Sequence, residues 1–362
     1  MRSFTLKTPY GTTHIGLGHP VFIIAEISCN HRQNYTEAVQ LVRAAARAGA
    51  NAVKLQTYTP DTMTLNSDKP WFIVGGKNNP NSWKKETFYS IYKKAYTPWD
   101  WQPKLKKLAE SLGMIFFSSV FDVSSVDFME KMDVPLYKIA SYEATHAPLL
   151  KKVAATGKPV IISIGFASRQ EAQEAVGTLK KNGARRIAVL HCLTSYAASP
   201  DHATTHLHTI RDIQHRFGVV SGFSDNTGGI DLPAMAVLAG ASIVEKHLNL
   251  RHGNGSFDDR FSVDPKEFSA MVKKIRNTEQ LLGSIHYGPN NDAERHNRNF
   301  RQSIFIAKDV KKGQKFTTKN VRVIRPAYGL APKLFEGVLG KIATKDIQYG
   351  TPLKRSHVKG RI

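Results

Sequence analysis

The 362 residues include only two cysteines, Cys29 and Cys192, with no C-x-x-C spacing, which excludes a disulfide framework and a thiolate zinc site. Long apolar runs are missing too. The longest, Val21 to Ala25 and Pro159 to Ile162, fall far short of a bilayer span, and the opening MRSFTLKTPYGTT has no apolar signal core. These absences predict a soluble cytoplasmic protein with no membrane partner. Acidic residues are scarce, with 29 Asp and Glu against 51 Lys and Arg, a net charge of +22. The excess is uneven, since residues 283–362 hold 17 Lys and Arg against 5 Asp and Glu. Yet those cations are interspersed with apolar residues, as in KDVKKGQKF, and no nucleic-acid-binding signature accompanies them. A basic solvated surface is expected, with no nucleic-acid partner. What is present, 41% hydrophobic residues with 26 Gly and 17 Pro, describes a globular chain. Its length suits a barrel-sized domain followed by a small one.

From residue 21 short apolar runs alternate with longer amphipathic stretches, the pattern of parallel β-α units. Eight runs read as strands: VFIIAEIS, AVKLQTY, MIFFSSV, LYKIAS, PVIISIG, IAVLHC, VVSGFSD and SIVEKHL. Each is too short for a helix and nearly apolar on both faces, as a covered parallel strand should be. Between the first two, Asn34 with Glu37 caps a helix whose apolar face is Ala38, Leu41, Val42 and Ala45, and Gly49 stops it. The junctions AGANAVK, NGARRIAV and AGASIVEK repeat one α-to-β step. With a last helix near 265–282, the count predicts a (β/α)8 TIM barrel over residues 1–282, ahead of an open doubly wound sheet. Residues 1–20, with a YGTT turn, read as a hairpin closing the barrel bottom, and 59–99 as a structured loop over one barrel end. A polar linker at 283–299 then leads to a compact β-rich domain over 300–362, built from the runs SIFIAKDV, VRVIRP and KIATKDI.

Barrel active sites form at strand C-termini. Residues at those ends are Glu26, Lys54, Gln56, Ser119, Lys138, Ser141, Glu143, Ser163, Thr194, Tyr196, Ser224 to Asn226, Lys246 and His247. A lysine inside an apolar run, as in AVKLQ and YKIAS, is rarely a surface residue, and its burial without a partner costs several kcal/mol, so Lys54 and Lys138 read as functional. Glu26 faces the same argument. Serines at strand ends are ordinary turn residues one by one, and their value lies in convergence. Cys29 and Cys192 read as small core residues and His191 as a satisfied buried histidine. Two lysines with several hydroxyls suit a small phosphate-bearing substrate.

The motifs IAEISCNH, AVKLQTY, YKIASYE, SDNTGG, VEKHLNL and RPAYGLAPK together resemble the sialic acid synthase family over nearly the whole chain. NSDKPWF, FYSIYKKAYTPWDW and GLAPK are most similar to its pseudaminic acid branch. The resemblance implies a (β/α)8 barrel carrying a C-terminal antifreeze-like (SAF) domain. It also implies condensation of phosphoenolpyruvate with an open-chain N-acyl amino sugar, a 2,4-diacetamido-2,4,6-trideoxy hexose of altrose type, giving a nine-carbon 2-keto acid and phosphate. An N-acetylneuraminate or legionaminate synthase, or a non-catalytic sugar-binding relative, is the alternative. By motif position Lys54, Ser119, Lys138, Ser141, Ser163, Thr194 and Ser224 would hold phosphoenolpyruvate. Glu26, Gln56, Tyr196 and Asp258 would contact the sugar, and Arg325 would reach the site of a neighbouring subunit in a domain-swapped homodimer. Glu143 would manage a proton or the attacking water, so that Glu26, Lys54, Lys138, Glu143 and Asp258 form the implied catalytic set. The family's metal, Mn2+ or Mg2+, would sit on His247 and Asn226, the latter standing where the family has histidine. Ile164 and Phe166 likewise replace Thr and Met, and the Y-P-x-P turn has become Tyr196, Ala197, Ala198, Ser199, which implies a resized pocket.

Overall fold

A computed structural model of the chain describes residues 3–8, 11–75 and 85–362. Two compact units divide it, Met1–Gly283 and Ser284–Ile362. In the first, a hairpin of β1 (Ser3–Thr8) and β2 (Gly11–Gly16) precedes eight strands. These are β3 (Phe22–Glu26), β4 (Ala52–Thr57), β5 (Ile115–Val120), β6 (Tyr137–Ile139), β7 (Val160–Ser163), β8 (Ile187–Leu193), β9 (Val220–Asp225) and β10 (Ile243–His247). Every pairing is parallel and β10 closes on β3, so the sheet is the expected (β/α)8 barrel and not an open one.

The helices form where local chemistry directs them. Asn34 accepts a hydrogen bond from the Glu37 amide at 3.2 Å and starts Tyr35–Arg47, whose Ala38, Leu41, Val42 and Ala45 are buried against the barrel. Gly49, at φ +88°, turns the chain out of that helix into β4 without the penalty a side chain would incur. The last helix, Pro265–Leu282, starts from a capping box between Asp264 and Glu267. Residues facing the helices, such as Ile23, Ala25, Val53 and Val244, belong to one large apolar cluster with helical Leu41, Leu105 and Phe268. Burial of this kind contributes about 25 cal/mol per Å² of apolar surface.

Phe4, Leu6 and Ile15 of the hairpin pack with interior residues Phe22, Ile24, Ile115 and Phe117, which plugs the end of the barrel where the strands begin. The expected YGTT turn begins at residue 10, outside the described residues, as do 76–84 of the expected loop over the other end. Described parts of that loop include helices Pro60–Met63 and Phe88–Ala95. No helix among the described residues is long and apolar enough to cross a membrane.

In the second unit β11 (Ser303–Ile306) pairs antiparallel with β12 (Val321–Ile324) over a small core that includes Ile304, Phe316, Val338 and Leu353. The run KIATKDI, expected as a third strand, forms only isolated bridges, because Ile342, Ala343 and Ile347 each pair with a different segment, through Lys315, Val358 and Val310. The stretch expected as a linker carries a short helix, Asp292–Asn297.

Candidate active site

Side chains along a barrel strand alternate between the helix layer and the interior. Interior positions nearest the plugged end are apolar: Phe22 and Ile24 on β3, Ala52 on β4, Ile115 and Phe117 on β5, Ile161 on β7, Leu190 on β8, Ile243 on β10. Two residues further along the same strands the chemistry changes while the parity is kept. Glu26, Lys54, Ser119, Ser163, Cys192 and Glu245 occupy those positions, all buried, while Lys138 follows Leu136 and Ser224 follows Gly222 of β9 with the same spacing. The register sets Glu26 beside Lys54, Ser119 beside Lys138 and Glu245 beside Ser224.

The two lysines share one acid. Lys54 ion-pairs with Glu26, lies 3.5 Å from Glu245 Oε1 and donates to Ser119 Oγ at 2.9 Å. Lys138 donates to Ser163 Oγ at 2.8 Å and lies 4.0 Å from the same Glu245 oxygen, which also accepts from Ser224 at 3.2 Å. Burial pushes the Lys138 ammonium below its ordinary range, while Glu245 and Glu26 outweigh burial at Lys54 and hold it up. Burial pushes Glu26 up to about 7 despite Lys54, whereas Lys138 and Lys54 outweigh burial at Glu245 and keep it ionised. Two ammonium groups hydrogen-bonded to serines at the end of a strand layer have the chemistry to bind an anion.

Around this centre stand groups with unused capacity. Burial raises the Glu143 carboxyl to about 7 against the pull of Lys138, and its Oε2 has no hydrogen-bond partner. His247 is driven well below the ordinary imidazole range, by burial first and then by Lys54, Lys246 and Lys138. Its buried Nδ1 lacks a hydrogen bond and lies 3.5 Å from Asp258 Oδ2. Asn226, also buried, donates to Cys192 Sγ at 3.4 Å. Ser141 Oγ accepts from the Gly165 amide at 3.0 Å, tying the ends of β6 and β7 together. Thr194 abuts the same glycine: a Cβ there would lie 2.4 Å from its Cγ2.

Gln56 Nε2 reaches Glu26 Oε1 at 3.4 Å and is joined to Asp258 through Ser28, a residue that no local sequence pattern marks. Gln56 Nε2 donates to Ser28 Oγ at 2.9 Å, and Ser28 donates to Asp258 Oδ2. Ser28 holds a left-handed φ of +49°, costly for a residue with a side chain, and that turn aims its hydroxyl at the carboxylate. Glu245 stands out in no motif of its own, and its parity with Ile243 and His247 is the signal that places it in the interior. Lys246, expected in the site beside His247, instead faces the helix layer. It is fully buried and bonded to Asp225 at 2.7 Å and to the Thr227 carbonyl. Strand parity forces this outcome, since neighbours along a strand point to opposite faces. Arg325 is exposed on the second unit. His191 is satisfied, as expected, by the Thr205 carbonyl at 2.7 Å.

Among the described residues, one group of three potential metal-ligating side chains comes within 4.8 Å: His252, Asp264 and Glu267. It is the cap of the last helix extended by one histidine, and does not include His247.

The geometry agrees with what the chain resembles. It is 38% identical over 336 residues to the pseudaminic acid synthase of Campylobacter jejuni strain 81-176, covering 93% of this chain and 96% of that protein. The pseudaminic acid synthase of Helicobacter pylori is 36% identical, at 94% and 98% coverage. Among solved structures, the spore coat polysaccharide biosynthesis protein SpsE of Bacillus subtilis superposes with a TM-score of 0.66 at 31% identity, covering 99% of this chain and all of that one. A SAF domain model matches residues 301–359, and the NeuB family model matches residues 41–287, most of the barrel. The chain therefore belongs to the NeuB family, with a SAF domain following its barrel.

Proposed function

We propose that the chain condenses phosphoenolpyruvate with the open-chain form of a 2,4-diacetamido-2,4,6-trideoxy hexose, releasing phosphate and forming a pseudaminic-type nine-carbon 2-keto sugar acid. The observation that carries this is the pair of buried lysines, Lys54 and Lys138, each hydrogen-bonded to a serine and both facing Glu245. The likeness to the pseudaminic acid synthases of two organisms supports the choice of acceptor.

Phosphoenolpyruvate would take Lys54, Lys138, Ser119, Ser141, Ser163, Thr194 and Ser224, replacing part of the Glu245 contact with its own anionic oxygens. The sugar would take Glu26, Gln56, Tyr196 and Asp258, and Arg325 would be supplied across a subunit boundary in a homodimer. Carbon 3 of phosphoenolpyruvate attacks the aldehyde carbon, forming the new carbon-carbon bond while the aldehyde oxygen takes a proton from Glu26, whose carboxyl burial raises to about 7. Water then adds to the cationic carbon 2 and gives its proton to Glu143, whose pKa of about 7 suits a base at neutral pH. The tetrahedral carbon expels phosphate by carbon-oxygen cleavage, and its hydroxyl proton leaves with the phosphate, so that the ketone remains. Lys54 and Lys138 stabilise the charge carried away by the leaving group.

The unsatisfied Nδ1 of His247 fits a divalent cation, which His247 and the amide oxygen of Asn226 would hold. An amide oxygen favours hard ions such as Mg2+ or Mn2+. When bound, the ion would polarise the aldehyde oxygen. The test is phosphate release from phosphoenolpyruvate across a panel of N-acyl amino sugars, with manganese, with magnesium and with a chelator. Release should require both substrates and vanish in Lys54→Ala. Release that persists without a sugar, or that survives the substitution, would overturn the assignment.

A further inference from the structure

Two large rings stand exposed at the mouth of this otherwise charged pocket. Tyr142 is 60% exposed and Phe166 55% exposed, and their ring centroids lie 4.9 Å apart at 60°. Both are anchored to the site. Tyr142 sits between Ser141 and Glu143 in the turn that follows β6, and Phe166 follows Gly165, whose amide bonds Ser141. Tyr142 and Tyr196 stand close enough that each shifts the other's hydroxyl, after burial, which raises both. The Tyr196 ring packs on Phe261 at 4.9 Å, and Phe261 meets His247 edge-on at 4.9 Å.

A scattered exposed aromatic is normal and needs no explanation. A pair continuous with a site, backed by a row of rings that ends on His247, presents apolar and π surface to whatever enters. Such a surface favours C–H groups and leaves hydroxyls that are pressed against it without partners. The acceptor proposed above has three methyl groups, one at the end of each acetyl group and one at its deoxygenated C6. Phe166 stands where the resemblance implies methionine, so one of the two rings departs from that pattern.

We propose that Tyr142 and Phe166 form the specificity platform for the acceptor, receiving its methyl groups and so selecting a methyl-bearing N-acyl sugar over a polyhydroxylated one. This rests on the reading of the barrel as a phosphoenolpyruvate-condensing synthase. The test compares the parent with Phe166→Ala, Tyr142→Ala and the double variant. Phosphate release is followed with a diacetamido-trideoxy hexose and with N-acetylmannosamine, which keeps its 6-hydroxyl. The ratio of the two kcat/KM values should fall about tenfold in Phe166→Ala, the scale of discrimination that one methyl contact gives, with KM for phosphoenolpyruvate in place. Tyr142→Phe, which keeps the ring and loses the hydroxyl, should retain most of the ratio.

A second readout needs no turnover. Saturation transferred by NMR from the protein's aromatic protons should reach the acceptor methyls in the parent, and weaken in the double variant. An unchanged ratio in the double variant overturns the platform, as does an unchanged transfer signal. So does a shift in sedimentation with unaltered kinetics, which would assign the rings to a subunit contact. Methyl transfer without turnover in the parent would sink the synthase reading and keep the platform, and turnover without methyl transfer would do the reverse.

Discussion

The two ends of the barrel are built from the same strands and differ by two residues of sequence. On β3 the interior positions run Phe22, Ile24, Glu26, and on β5 they run Ile115, Phe117, Ser119. The first members of each series join the hairpin's Phe4, Leu6 and Ile15 in an apolar plug, while the last carries a hydrogen bond or charge of the site. On β10 the order is Ile243, Glu245, His247. Stability and chemistry are thus segregated along each strand instead of between elements. A parallel barrel permits this because all eight strands end on the same side, so one layer of substitutions converts a core into a pocket.

The contrast is broken most severely at the charged layer. Lys54→Ala should lower kcat/KM about a thousandfold or more by removing a group aimed at developing charge, and stopped phosphate-release assays would show it. Its stability should also drop, since Glu26 and Glu245 lose a partner in a buried setting.

A pH profile sharpens the comparison next. Glu143 is raised by burial to about 7, so its carboxyl is protonated below that pH and the base form fades as pH falls. The rate should decline on the acid side with an inflection near 7, and Glu143→Gln should lower the rate about a hundredfold and flatten that limb. An acid limb that survives the substitution would assign it to another group, Glu26 first, whose pKa is also about 7.

Asn226→His should make turnover more dependent on a divalent ion. The amount of chelator that halves the rate would change several-fold, read by titrating metal back into the stripped protein. The smallest effect belongs to the plug: Ile24→Val, two residues below Glu26, should cost about 1 kcal/mol of stability, with KM for both substrates unmoved. A thermal melt beside a kinetic assay separates the two layers at this single step.

The barrel was legible because its strands announce themselves as short apolar runs with repeated Gly-Ala entries, and because local caps such as Asn34 act within a few residues. Lys54 and Lys138 were legible for a related reason, since a lysine in a core strand must have a partner. Glu245 was hidden behind its neighbours: Lys246 and His247 look like the chemical pair, and only alternation from Ile243 shows that Lys246 turns outward. Ser28 acquires its role from a left-handed turn and from Asp258, 230 residues away in sequence, which no local pattern encodes. The run KIATKDI has β-type composition but finds no single partner, and composition cannot report pairing.

Lys246 has a wider meaning for how this pocket changes over generations. Lys246, Asp225 and Thr227 clasp the segment after β9 from behind, away from the cavity. A Cβ on Gly228 would lie 1.9 Å from the Ala198 carbonyl, so the segment is held close from the other side as well. Asn226 hangs from a bracket whose fastenings do not involve its own side chain. Its chemistry can therefore be exchanged by single substitutions while the mounting stays put, and a lineage can retune this position without rebuilding the barrel around it.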